Sequence, residues 1–283
     1  MRKTTIICLL VGFSLNVHAQ VDTDIFLYDL NLGKGKISNG QNLTHWKGYD
    51  NQPFFSPDGQ RLYFTRIMGQ AEVYYYDLKM KFIREFTRTE ESEYSPTVTP
   101  DGKHISVVQV EKDSTQRLWK FPIPKGPPEL IFENVKPVGY HTWIDNENVA
   151  MFILGKSNQL QVGNTTTGEA KTITYDIGRS LHTYNGSVYF VSKESSMIWW
   201  IKKMDAATGE VSRIEQSLKG REDFTVTSSG RILMGDGKII YELKSGEWKK
   251  LITVESSEFT DFNRIVVSPD EKMLVIVAVM KNL

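Results

Sequence analysis

The 283-residue sequence has one cysteine, Cys8, which excludes a disulfide framework and a zinc site built on thiolates. It has no excess of charge: 34 Lys and Arg stand against 34 Asp and Glu. That balance excludes a nucleic-acid binder that works through a general basic field, and it excludes a polyacidic tail. No segment shows a sustained 3.6-residue apolar period, so helix content is expected to be very low. Beyond the first twenty residues no run is apolar enough to span a bilayer. The usual catalytic phrases are missing too: there is no Gly-x-Ser-x-Gly, no His-Glu-x-x-His and no Gly-x-Gly-x-x-Gly. Gly155-Lys156-Ser157 looks like the end of a phosphate loop, but Ala150 stands where its first glycine belongs. We read it as a hairpin turn.

What is present begins with an address. Arg2 and Lys3 form a short positive region, Ile6 to Val17 is apolar, and Val17-His18-Ala19 is a small-x-small ending. This is the pattern of a secretory signal peptide over residues 1–19. It leaves residues 20–283 as one exported, cysteine-free domain. Hydrophobic residues at 40% and aromatics at 11% are enough for a packed core.

A repeat organises that domain. Ser56-Pro57-Asp58-Gly59, Thr99-Pro100-Asp101-Gly102 and Ser268-Pro269-Asp270-Glu271 share one turn phrase, with weaker copies ending at Glu147, Gly186 and Gly230. The six turns recur every 39 to 45 residues. Pro presets φ at the first central position, and Gly accepts the left-handed conformation that closes a tight hairpin. Glu147 and Glu271 replace that Gly, so their turns are expected to be strained or differently shaped. Short β-rich runs follow each turn, four per repeat, as in a propeller blade. The expected fold is all-β: a six-bladed β-propeller of four-stranded blades. Its last blade takes two strands from the C-terminal end and two from Asp24–Leu30 and the residues after Lys36, which leaves no unpaired inner edge.

The phrase from Asp50 to Phe64, with Pro53-Phe54-Phe55-Ser56-Pro57-Asp58-Gly59 at its centre, resembles the repeat of the TolB-like propellers. The resemblance is to this repeat family rather than to TolB itself. It implies a WD40-like repeat protein of the periplasm or exterior, usually a protein-interaction scaffold.

Polar residues just before the inner strands are the candidate site, because propellers open a central channel there. Asp50 and Glu93 each fall nine residues before a turn Gly. Asp223 and Asp261 sit in similar approaches, with Arg179 and Arg221 beside them. His141-Thr142-Trp143 and His182-Thr183-Tyr184 repeat one phrase on two consecutive strands. Convergent carboxylates and imidazoles suit a polar ligand or a metal. The staggered positions of the acids argue against a shared ion, so no bound metal and no cofactor are expected; the residues line the channel, with contact to a ligand or partner as their candidate role. The first reading is therefore a monomeric, non-enzymatic module that binds an envelope protein or a glycan and no nucleic acid. The alternative is a metal-assisted hydrolase or lyase working in the channel.

Overall fold

The computed structural model describes residues 22–124 and 126–281, so the expected leader, residues 1–19, lies outside the described residues. Strands dominate, and the helical elements among the described residues amount to one 3-10 turn, Leu32–Lys34. Each repeat forms an antiparallel meander. Its first strands are Tyr49–Phe55, Ser92–Val98, Val138–Trp143, Ile177–Tyr184, Phe224–Val226 and Phe259–Val267. The first five each lead a four-stranded run of consecutive strands. The sixth pairs with Met273–Met280, which pairs with Thr23–Asn31, which pairs in turn with Lys36–Asn42. Chain ends thus share a sheet, with seven residue pairs running in register from Thr23–Val279 to Asp29–Met273. A lone parallel pair, Thr23–Tyr49, joins this sheet to the first one.

Alternation along the strands explains the core. On Thr23–Asn31, Phe26, Tyr28 and Leu30 face one neighbour while Ile25 and Leu27 face the other. Leu274, Ile276 and Ala278 divide from Val275 and Val277 in the same way. Strands that are apolar on both faces need cover on both. The cover is the next sheet. Six apolar clusters result, each held between two sheets that follow one another in the chain, and one of them lies between the composite sheet and the first. The three tyrosines Tyr74, Tyr75 and Tyr76 fit this rule: Tyr74 and Tyr76 pack on the composite sheet's side and Tyr75 on the second sheet's side. Both sheet faces are therefore packed. First strands also touch in order, from Tyr49–Phe55 through each successor to Phe259–Val267 and back to Tyr49–Phe55.

The repeated turn is a small hydrogen-bonded unit. The Ser56 backbone N–H donates to Arg61 O and the Arg61 N–H donates to Ser56 Oγ, at 2.8 and 2.9 Å. Asp58 Oδ1 accepts from Ser56 Oγ and from the Gln60 N–H. Thr99 with Asp101, and Ser268 with Asp270, repeat the arrangement. Gly59 and Gly102 take φ of 67° and 70°, which costs a glycine little. Glu271 is held at φ 57° in the same place. Its carboxylate accepts from the Ser229 N–H at 2.7 Å, tying the last turn to the preceding sheet. Glu147 avoids the left-handed region: Asp145 accepts from the Glu147 and Asn148 N–H groups, both at 2.8 Å, and shapes a different turn.

Candidate functional site

All six first strands contribute to one central cavity of about 430 Å³. Its walls owe their shape to β-bulges. Register shifts interrupt the first strand of the first four sheets and of the composite sheet: between Asn51 and Phe54, Tyr94 and Thr97, Val138 and Tyr140, Ile177 and Leu181, and Phe262 and Arg264. An extra residue in one strand bends it and re-aims side chains. Gln52 and Ser95 carry the bulges at φ 58° and 54°, and Gln52 Oε1 accepts from the Ser95 N–H at 2.8 Å to join the first two sheets.

Of the eight residues singled out from sequence, His141, Arg179, His182 and Asp223 line the cavity. His141 Nε2 lies 2.7 Å from Ser106 Oγ. That hydroxyl also receives the Trp143 indole N–H at 2.8 Å and lies 3.0 Å from Thr97 O. A tryptophan N–H can only donate, so if the serine proton goes to Thr97 O the imidazole donates from Nε2. Burial pushes His141 down to about 3. Burial likewise pushes His182 down to about 4, against the raising effect of the Phe224 carbonyl and Asp223. Both rings are neutral at physiological pH. Arg179 forks onto Asp223, with Nε donating to Oδ1 at 3.0 Å and Nη2 to Oδ2. Glu222 adds a second acid 3.8 Å from Arg179 Nε and also pairs with Lys193 at 2.7 Å. Thr142 and Thr183 stand 3.3 Å apart, so the two His-Thr phrases occupy equivalent places on adjacent strands.

The other four residues lie away from this cavity. Asp50 and Glu93 are equivalent to each other, two residues before their bulges, but both turn into the sheets. Asp50 is buried 3.7 Å from Arg66, and burial pushes it up to about 7 despite that guanidinium. Glu93 accepts from Gln109 Nε2 at 2.9 Å and Thr89 Oγ1 at 2.7 Å. Burial, reinforced by the neighbouring Glu72 carboxyl, pushes it up to about 8. Arg221 bridges Asp236 and Asp261 at 2.7 and 3.0 Å, outside the cavity wall. Expecting these four at the channel mouth treated every approach as alike. Bulges follow Asp50 and Glu93 and flank Asp261, and one inserted residue moves a side chain to the other face. Arg221 instead lies in the link ahead of Phe224–Val226, a strand without a bulge.

Sequence reading missed Arg264 and Tyr140. Arg264 follows the bulge in Phe259–Val267, and its Nη2 donates to Tyr140 Oη at 3.1 Å. The two residues belong to the sixth and third units, so the contact crosses the ring. The guanidinium carbon also sits 5.1 Å from the Tyr140 ring centre. Tyr49 lies close by: burial pushes its hydroxyl up to about 12, while the Arg264 and Arg179 charges pull the other way. The Tyr140-His141 and Asn263-Arg264 pairs are polar interruptions ahead of apolar strand residues, the only signal that could have marked them.

Sheets standing side by side around a central cavity, each beginning at that cavity with its first strand, define a β-propeller, and the fold is TolB-like. A putative TolB from Agrobacterium tumefaciens matches 93% of this chain and 99% of its own at a TM-score of 0.73 and 15% identity. A chain of a nidogen/laminin complex matches 90% and 98% at 0.62 and 12% identity. An oligogalacturonate lyase from Vibrio parahaemolyticus matches 86% and 81% at 0.59 and 15% identity. At such identities the likeness is one of fold. No family model matches the sequence, and no curated protein does.

Proposed function

We propose that this chain is a six-bladed propeller, exported to the periplasm or beyond, that works as a binding module for an envelope partner and performs no chemistry of its own. The observation that carries this reading is where the exposed apolar side chains lie. Among the described residues, seven large apolar side chains are well exposed: Trp46, Met68, Met80, Leu154, Tyr175, Met197 and Ile198. First and third strands start at one end of the sheets; second and fourth strands finish there. Trp46 precedes a first strand, and Met68 and Tyr175 close a second and a fourth strand. Leu154, Met197 and Ile198 lie between second and third strands. Six of the seven therefore gather at the leading end, and only Met80, in a turn from third to fourth strand, lies at the other. Exposed apolar residues scattered singly need no explanation, whereas their gathering at one end suits a partner surface. The cavity acid Asp223 is engaged by Arg179, which favours binding over acid–base work there.

The test compares two variants in the native envelope after brief chemical crosslinking. The triple variant Met68→Ser, Met197→Ser, Ile198→Ser is expected to lose the adduct formed by the parent protein. Met80→Ser is expected to retain it. Equal adduct from both variants would contradict the reading.

A further inference from the structure

The cavity holds an imbalance that the apolar rim does not explain. Arg179 is matched by Asp223 and approached by Glu222. Arg264 has no such partner: among the described residues no carboxylate lies within 4 Å of its nitrogens, and its one hydrogen bond goes to a neutral phenol. Its Nε is shut off from solvent and has no acceptor. Arg264 is half-buried, and a donor shut off from solvent ordinarily has an acceptor, because leaving it unmatched is costly. The β-bulge at Asn263 aims this side chain into the cavity rather than into a sheet. Around it stand groups that cannot supply the missing charge: Tyr140, Tyr49 and the neutral His182.

We infer that Arg264 is the anchor of a binding site for a carboxylate-bearing ligand that enters the central cavity. The chemistry selects a carboxylate over a phosphate. Arg179 is already neutralised, so the wall offers one net positive charge, which matches a monoanion and leaves a dianion unbalanced. A guanidinium fork can meet two carboxylate oxygens at once; Arg264 Nη2 is held by Tyr140 Oη, so the two-oxygen contact forms as that phenol gives way. Tyr140 Oη, once released, lies within reach of the same oxygens. A cavity of about 430 Å³ accommodates one small ligand or the end of a chain. The carboxylate could come from a uronic acid or from a peptide C-terminus. This inference stands apart from the rim: it concerns a different surface and a different variant.

The probes are D-galacturonate, acetyl-alanyl-alanine, glucose and inorganic phosphate, each titrated into the purified protein and followed by ligand-observed NMR. At least one of the two carboxylates is expected to bind in the millimolar range or tighter, and the one that binds names the source. Glucose is expected not to bind, and phosphate to bind at least about tenfold more weakly. Arg264→Gln is expected to weaken the bound carboxylate about tenfold or more, in line with a charged hydrogen bond of roughly 1.5–3 kcal/mol. Arg221→Gln, outside the cavity, is expected to leave it unchanged. Failure of both carboxylates to bind the parent protein, tighter binding of phosphate, or undiminished binding in a folded Arg264→Gln variant would each overturn the inference. Because the parent protein alone can fail the first two arms, the outcome does not depend on the variant folding. Loss of the rim crosslink with carboxylate binding intact would separate the two sites.

Discussion

At the scale of single residues, buried acids carry the most testable chemistry. Glu93 is fully buried, its Oε1 is satisfied by Thr89 and Gln109, and its Oε2 and that of Glu72 have no other donor. Two carboxyls in that position are best served by one shared proton. The folded value near 8 lies above the ordinary 4.5. The stabilising protonated form is therefore complete below about 4.5 and is lost as pH rises through about 8. Asp50, raised to about 7, acts in the same direction. Glu93→Gln keeps an acceptor for Thr89 and Gln109 and a donor for Glu72. It should make the protein more resistant to urea near pH 8, with little change near pH 5, so that the fall in stability across this range, roughly the span between the two values, becomes shallower. Parallel urea midpoints for variant and parent across that range would contradict the shared proton. None of this was legible in the residues before the strands. Asp50 and Glu93 read as channel groups because spacing from the turn says how far along a strand a residue lies, and a bulge decides which way it faces. Arg264 was missed for the same reason.

At the scale of elements, the turns were legible and the sheets mostly so. Ser-Pro-Asp-Gly is a local device whose bonds close within six residues, so Ser56–Arg61 and Ser268–Met273 could be recognised without knowing their neighbours. The turn at Asp145–Asn148 reaches the same result through an aspartate capping two N–H groups, and its phrase carries less of the pattern. Pairing between the chain ends was deduced from a deficit: too few strands after Glu271 and a surplus near Asp24. The strand Met273–Met280 is central to that sheet, with Leu274, Val275, Ile276, Val277 and Ala278 wholly buried. Burying each larger side chain is worth roughly 1.5–3 kcal/mol, against a stability of about 5–15 kcal/mol for a whole domain. Removing residues 272–283 should leave a protein that is unfolded or aggregated by circular dichroism and gel filtration. A soluble monomer with the parent's melting temperature would contradict the composite sheet.

At the scale of the whole molecule, six apolar clusters lie between successive sheets, and first strands touch in order until the last meets the first. That arrangement has two unlike ends. The turn end carries the hydrogen-bonded Ser-Pro-Asp-Gly units, while the leading end carries most of the exposed apolar side chains. Function is accordingly assigned to the leading end and, separately, to the central cavity, whose lining runs on to the turn residues Pro57, Pro100 and Pro269. The most direct measurement places a photo-crosslinking amino acid at Met68 or at Met80, one position per protein, in cells. The two are comparably exposed, at 69% and 64%, so accessibility does not bias the comparison. The account predicts a discrete adduct from position 68 and none from position 80; an adduct of equal yield from both, or from position 80 alone, would contradict a binding surface at the leading end.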